Sequence, residues 1–505
     1  MTHSQSTPPT AASGTVDEPT RLGGAGRKLT LVDVVAQSVG FMGPVFSIAF
    51  LVPLVMGIIS VTGNGAGIAA PLSIAIAAVG ILAVAWIVAE YAKRIQAAGA
   101  LYDYVTDGLG QRTGATAGFL YYVGVTTLGA GLLVLIAGTI HDTLAGEFQF
   151  TGIPVTGWAL ILLVFIAIVM FLGVALSTRF QLVLALLSVA TVLTFSVYVI
   201  LKVGSGNNVA AAFNPGNAPG GWSGIAFGMV YGVLLFTGFE TAANLGEETE
   251  HPKRDIPRAV LTSVVVVAAF YVICAYAQVA GYGFDVAAFG KNANAPLFGL
   301  GAPTEAGGFG STAVLRLLEL VVILDMLAVL IGISVASSRG IFAMSRDHRF
   351  PSALGKVSRR GTPLNASVVV LVFFAIWIAV TRQYPSLFSI PGYPHYFAMF
   401  NFGSAFGGLA LAVIYLLLCV GALRGLRDHA RFPMVVVTAV VGILVTGAAV
   451  FGAIYQVPAP TIYAAYGVAL VFAIGVVLAL TAKGPQTAHT SFDELPAAEQ
   501  GPVKL

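Results

Sequence analysis

Residues 37–47 read Gln-Ser-Val-Gly-Phe-Met-Gly-Pro-Val-Phe-Ser, in the middle of the first long apolar run. Pro44 has no N–H to donate to the carbonyl of Gly40, and the glycines supply the backbone freedom that an unwound turn needs. Such a turn leaves bare carbonyls on one half-helix, suited to cations, and bare N–H groups on the other, suited to carboxylates. A plain proline kink is the alternative interpretation. The candidate substrate-binding residues here are Gly40, Phe41, Gly43, Pro44, Val45, Phe46 and Ser47.

A second interruption lies in the sixth apolar run, where residues 236–241 read Phe-Thr-Gly-Phe-Glu-Thr. Glu240 lies at a depth where ionisation is costly, so a binding, proton-relay or hydrogen-bonding role must compensate. The preceding glycines at 224, 228 and 232 have the four-residue spacing that indicates close helix packing. The candidate substrate-binding residues of this run are Phe236, Thr237, Gly238 and Phe239.

The composition places most of the chain in lipid. The 505 residues are 57% hydrophobic and only 9% charged, with a mean hydropathy of +0.90. This balance excludes an ordinary soluble enzyme. The net charge of +3 is too small to indicate a nucleic-acid partner. Cys274 and Cys419 both lie in apolar runs, which excludes a disulfide framework, a thiol enzyme or a zinc site.

Twelve apolar runs are long enough to cross about 30 Å of hydrocarbon as helices, at about 20 residues each. They are solidly apolar and do not alternate, which excludes barrel strands. The residues before and after them, 1–28 and 483–505, are predicted to be polar tails, the first disordered and without a signal peptide. The predicted spans are 31–59, 66–92, 115–140, 153–176, 179–202, 222–245, 258–283, 314–340, 364–381, 396–422, 433–455 and 461–482.

The distribution of Lys and Arg sets the predicted orientation. With the N-terminus inside, all 25 but Lys202, Lys291, Arg316 and Arg382 fall on the cytoplasmic side. Short cytoplasmic loops carry the excess of positive charge. We therefore expect a multi-pass protein of the inner, cytoplasmic membrane with both termini in the cytoplasm.

Spans one and six hold corresponding places in two five-helix halves, at about 31–202 and 222–422, within a single transporter domain at 29–482. Because five is odd, the second half starts from the opposite side, which makes the halves an inverted repeat. Two extra helices follow at about 433–482. Glycine-interrupted helices at matching positions of inverted halves indicate a substrate site at the membrane midplane. The sequence therefore predicts an all-α integral membrane fold with helices one and six broken, and it favours alternating access over a continuous pore.

Two blocks of sequence resemble the amino acid-polyamine-organocation superfamily of secondary transporters. The first joins residues 236–240 to Glu247-Glu248 and residues 252–259; the second joins Ser338-Arg339 to residues 343–347, Pro351 and Thr362-Pro363. A weaker third block is 99–104 with Gly110. The resemblance implies the five-plus-five fold of the leucine transporters and a substrate with an amino group, often an amino acid or a polyamine. It also implies that backbone around Gly238 faces the amine, and that Glu240 has a part in proton sensing or amine binding.

The first span departs from this family in one respect. Amino acid carriers of the family commonly have a Gly-Ser-Gly-like element that binds a carboxylate, whereas this chain has Gly43-Pro44-Val45. The loss of two small positions, together with Asp325, makes an inorganic cation transporter or channel on the same scaffold the alternative function.

Asp325 lies about a third of the way along the eighth span from the outer side, within Val-Val-Ile-Leu-Asp-Met-Leu-Ala-Val. An unpaired carboxylate there costs about 2.5–3.5 kcal/mol on insertion scales, so it must be protonated, paired or in contact with water. Amine binding or proton exchange is one interpretation, and a hydrogen bond to a neighbouring helix is the other. Asp325 and Glu240 are the candidates for coupling.

The coupling ion is predicted from what the spans contain. Some proton-coupled relatives carry a lysine in the fifth helix, but residues 180–201 contain no cation. A sodium site would combine carbonyls near Gly40 with hydroxyls of Ser334, Ser337 and Ser338, although helix serines also bond their own backbone carbonyls. Because this alternative weakens the case for a sodium site, protons are favoured over sodium. No cofactor or metal is predicted.

Aromatic residues near these runs have two interpretations. Tyr121 and Tyr122 of the third span, with Phe236 and Phe239, could line or gate the site, since aromatic faces attract cations; helix packing is the commoner role. Together the patterns predict a permease that works by alternating access and is driven by protons, and not an enzyme; the resemblance implies that its substrate is an amino acid or related amine. Its expected partners are an amino-bearing small molecule and the lipid bilayer, with no nucleic acid, in a monomer or weak dimer.

Overall fold

The computed structural model describes residues 29–58, 64–95, 99–172, 178–246, 249–292, 295–346, 349–356 and 362–481. The two predicted tails, Glu247-Glu248 and Asp347 lie outside these ranges. Within them the regular structure is helical. The α-helices are α1 (Leu31–Met42), α2 (Pro44–Phe50), α3 (Val52–Met56), α4 (Ala70–Ala92), α5 (Leu101–Leu109), α6 (Gln111–Phe148), α7 (Val155–Leu172), α8 (Thr178–Val203), α9 (Val209–Ala212), α10 (Trp222–Leu235), α11 (Pro252–Gly281), α12 (Val286–Gly290), α13 (Pro296–Gly301), α14 (Thr312–Arg346), α15 (Leu364–Gln383), α16 (His395–Gly425), α17 (Phe432–Gly452) and α18 (Ile462–Thr481).

Eleven helical stretches of the described chain are long and apolar enough to cross a membrane. The remaining predicted span, the fourth, forms a shorter apolar helix over Val155–Phe171. The predicted count of twelve spans therefore stays a prediction. Two helices run well beyond their predicted bounds, because α6 covers Gln111–Phe148 and α14 covers Thr312–Arg346.

The first span is broken, as predicted. Helix α1 ends at Met42, Gly43 adopts the left-handed φ of +54°, and α2 begins at Pro44. Proline suits the first position of a helix, because an N–H there would have no partner within the helix and proline lacks one. A second interruption at Leu51 separates α2 from α3, and the sequence analysis missed it.

The sixth span is broken at the predicted glycine. Helix α10 ends at Leu235, Gly238 has a φ of +114°, and the chain continues as a 3-10 helix over Phe239–Leu245. An L side chain is strained at such a φ, which explains the glycine. The turn over residues 236–238 thus separates two half-helices in the interior of the bundle.

The helices that hold these breaks pack closely through small residues. An added Cβ at Gly228 of α10 would lie 2.8 Å from the Val55 carbonyl oxygen, and one at Gly232 would lie 2.9 Å from the Cβ of Ala77. The predicted packing role of these glycines is therefore confirmed. The long helix α6 lies in the centre, against α5, α14, α16 and α18.

Candidate functional site

The two helix breaks meet in the interior. The Ser38 hydroxyl of α1 donates a hydrogen bond of 3.0 Å to the carbonyl of Phe239, at the start of the 3-10 helix. The Phe41 ring lies against the second break, because a Cβ on Gly238 would come within 2.3 Å of its Cδ1. The structure therefore brings the two predicted groups of site residues together.

At the first break, the amide groups are bound by Asp325. Its Oδ2 accepts hydrogen bonds from the amides of Val45 (3.1 Å) and Phe46 (2.8 Å). The Ser47 amide donates instead to the carbonyl of Gly43 at 2.9 Å. The Asp325 side chain is 4% exposed, so a buried carboxylate of α14 satisfies the start of α2. The amides of Val45, Phe46 and Ser47, which would suit a substrate carboxylate, therefore all have partners within the protein.

At the second break, Glu240 is held by three donors. Its Oε1 accepts from the Tyr121 hydroxyl of α6 at 2.9 Å. Its Oε2 accepts from the Tyr415 hydroxyl of α16 at 3.1 Å and from the Gly238 amide at 3.0 Å. The residue Glu240 is only 1% exposed. Glu240 therefore links the broken turn to α6 and α16. Its three hydrogen bonds compensate for the cost of burying a carboxyl group at this depth.

The second break combines carbonyls that have protein donors with one buried hydroxyl that has no partner in the described chain. The carbonyl of Gly238 accepts from the Thr241 amide at 3.0 Å and hydroxyl at 2.6 Å, and the carbonyl of Leu235 accepts from the Tyr271 hydroxyl at 2.7 Å. The Thr237 hydroxyl is buried and has no partner among the described residues. Burying a hydroxyl without a partner costs free energy. The Thr237 hydroxyl is therefore free to pair with a bound solute.

The proposed sodium-site serines use their hydroxyls in two ways. Ser334 donates to the carbonyl of Leu330 at 2.7 Å, and Ser338 donates to that of Val335 at 2.9 Å. These bonds fit the alternative interpretation of backbone bonding. The buried Ser337 hydroxyl has no partner in the described part of the chain. A Cβ on Gly40 would have no atom within 4 Å, so space remains beside α1.

Several residues of the site were not predicted. Tyr121 was a candidate for lining, but its bond to Glu240 and that of Tyr415 were not foreseen. Gln278 of α11 donates to the carbonyl of Ile48 at 2.9 Å, next to the second interruption of the first span. A buried amide in an apolar run was the available signal for Gln278, whereas Tyr415 resembles any packed aromatic. In the described ranges, no group of three or more His, Cys, Asp or Glu could hold a metal ion.

Broken helices that meet inside an apolar bundle, with a buried carboxyl group at each break, define a membrane transporter with the leucine-transporter-like inverted-repeat fold. Residues 39–484 match the family described as amino acid permease, and the chain belongs to that family. The resemblance stated from the motifs is confirmed.

The relatives include two branched-chain amino acid permeases. That of Lactococcus lactis is 26% identical over 69% of this chain and 75% of its own length. That of Bacillus subtilis is 24% identical over 60% of this chain and 65% of its own length. Among solved structures, an Eremococcus coleocola manganese transporter variant is similar with a TM-score of 0.51 and 12% identity, covering 89% of this chain and 94% of that one. This last likeness shows the fold alone.

Proposed function

We propose that this permease moves an amino acid or a related amine across the cytoplasmic membrane by alternating access, driven by protons. The observation that carries the proposal is the meeting of the two breaks through Ser38 and Phe239, since broken helices at matching repeat positions form the substrate site of such transporters. The excess of Lys and Arg supports cytoplasmic termini in this proposal.

The amino group is held at the second break. The Thr237 hydroxyl is buried there without a partner among the described residues, and carbonyls at the end of α10 carry the negative end of its dipole. Ser38 and Phe41 of α1 lie against this turn. A cationic amine suits a free hydroxyl beside the carbonyl end of a helix.

The proposed proton carrier is Glu240 or Asp325. Each is a buried carboxyl group attached to one of the breaks, so a change in its charge would alter the hydrogen bonds that set the geometry of the site. Protonation of Glu240 would weaken the bonds from Tyr121 and Tyr415, because a neutral acid is the poorer acceptor. This couples protonation to the packing of the second break against α6 and α16.

The test is uptake into liposomes that contain the purified protein. Labelled amino acids and amines are supplied with and without an inward proton gradient, and protein-free liposomes are subtracted. We expect saturable accumulation that collapses when a protonophore is added. Saturable uptake that ignores the gradient would contradict proton coupling, and an absence of uptake for every amino-bearing solute would contradict the substrate class.

An inorganic cation is the second candidate, and the observation that favours it is the buried Asp325 carboxylate beside the first break. Rubidium and manganese flux in the same liposomes separates the two functions. Flux of either cation without uptake of any amine would favour this candidate.

A further inference from the structure

The start of a helix attracts anions because its first amides have no partner within the helix. In the first break the number of such amides is small. Pro44 has none, the Ser47 amide donates to Gly43, and those of Val45 and Phe46 both donate to one oxygen of Asp325. The protein itself therefore provides the anion at this position.

Asp325 is also difficult to displace. It lies in the interior of α14, which is continuous from Thr312 to Arg346, so it cannot withdraw as a loop residue could. The neighbouring Val329 fills the space, because a Cβ on Gly43 would lie 2.2 Å from its Cγ2 and 3.4 Å from the Asp325 Oδ2. A substrate carboxylate at the same amides would meet both this packing and a like charge.

We propose that Asp325 is a specificity-determining residue, which occupies the anion position of the site and restricts the solute to an amine that lacks a carboxylate. This inference rests on the proposed function and narrows it. The solute's ammonium group binds at the Thr237 turn, while the first break requires nothing from the solute. An amino acid differs from its decarboxylated amine only by the group that Asp325 already replaces.

Matched pairs of solutes test the proposal without any variant. Leucine is compared with isoamylamine, ornithine with putrescine, and phenylalanine with phenethylamine, by thermal shift in detergent and by liposome uptake. We expect the amine of at least one pair to bind about tenfold or more tightly than its amino acid, which is about 1.4 kcal/mol. An amino acid that binds as well as its amine in every pair, or better, would overturn the proposal.

Variants of Asp325 test the cause. Asp325→Gly frees the amides of Val45 and Phe46, so we expect the preference to shift toward the amino acid by about tenfold. Added acetate should restore the preference for the amine in this variant by refilling the position, which a purely structural role would not do. Asp325→Asn keeps the shape, removes the like charge and serves if the glycine variant fails to fold; we expect a shift toward the amino acid that is smaller than in the glycine variant.

Glu319→Gln is the matched control, because Glu319 is the other carboxyl group of α14 and lies half-buried away from the breaks. It should leave the solute preference unchanged. If amino acids are preferred and Asp325 variants do not alter that preference, this inference fails while the proposed function stands. If neither member of any pair binds or is transported, both fail together.

Discussion

Both helix breaks expose backbone amides in the interior, and the protein satisfies those amides in different ways. At the first, a carboxylate from a distant helix accepts the exposed amides, because Oδ2 of Asp325 binds both Val45 and Phe46. At the second, the carboxyl group belongs to the broken segment itself, and Glu240 is held by tyrosines from α6 and α16. The first break is therefore satisfied by a carboxylate from another helix, whereas the second contributes its own carboxylate to hydrogen bonds with other helices.

The difference shows where a ligand is still needed. The amides of Val45, Phe46 and Ser47 at the first break have protein partners, whereas the second break leaves the Thr237 hydroxyl without one in the described chain. Groups that the protein leaves unpaired at a buried turn are those that a solute can satisfy. We therefore expect substitutions at the second break to affect transport more than those at the first.

The largest effect is expected from Gly238→Ala. A side chain at φ +114° is strained, and its Cβ would lie 2.3 Å from Phe41, where the two breaks meet. We expect a loss of at least about 1–3 kcal/mol from the strain, with loss of liposome uptake. Gly447→Ala is the control, because its Cβ would meet no atom within 4 Å. Normal uptake by the Gly238 variant would show that the turn need not keep this shape.

Glu240→Gln should rank second. The neutral amide can no longer accept from both tyrosines and the Gly238 amide as a carboxylate does, which costs about 1.5–3 kcal/mol for a hydrogen bond to a charged group. The thermal midpoint of unfolding should fall. Accumulation of solute driven by the proton gradient should disappear, while exchange of solute across the membrane persists. Tyr415→Phe is the comparison, with a smaller loss of about 1 kcal/mol and accumulation retained. Accumulation by the Glu240 variant equal to that of the wild type would remove this residue from coupling.

Thr237→Val separates binding from stability. Its hydroxyl has no partner in the described chain, so the isosteric substitution should leave the thermal midpoint unchanged or raise it. We expect solute affinity to fall about tenfold, measured as the concentration for half-maximal uptake. Thr241→Val in the adjoining 3-10 helix is the control, because it removes a hydrogen bond of 2.6 Å to the carbonyl of Gly238 and should lower stability. Unchanged affinity in the Thr237 variant would place the amine elsewhere.

Ser38→Ala is expected to have the smallest effect. It removes one hydroxyl that donates to Phe239, worth about 0.5–1.5 kcal/mol. Ser47→Ala is matched to it, because the Ser47 hydroxyl donates to the carbonyl of Met42 at 3.1 Å, across the first break. If the bridge between the breaks matters, the first variant should slow uptake more than the second at equal stability. Equal rates would mean that the bridge serves packing only.

The sequence was informative wherever a residue type restricts the backbone. Pro44 and Gly238 predicted both breaks at the correct positions, because a missing N–H and a positive φ are properties of single residues. Hydropathy likewise predicted the eleven helical stretches that are long and apolar enough to span, although helices such as α6 run past the apolar window that defined them.

Partners across the bundle were beyond such reasoning. Asp325 was recognised as unusual, and a hydrogen bond to a neighbouring helix was one of its interpretations, but its position against α2 depends on how α14 packs. Tyr415 lies 175 residues from Glu240 in the chain, so no local pattern relates them. Contacts at such separations are set by tertiary packing and carry no periodic signal in one sequence.

The placement of Asp325 on α14 also has an electrical consequence. Its negative charge belongs to the protein and does not travel with the solute. A monovalent ammonium carried without a carboxylate of its own therefore moves one elementary charge, in addition to the charge of any proton that enters with it. Across a membrane held at 100 mV that charge is worth about 2.3 kcal/mol, so voltage alone could concentrate the amine roughly fiftyfold.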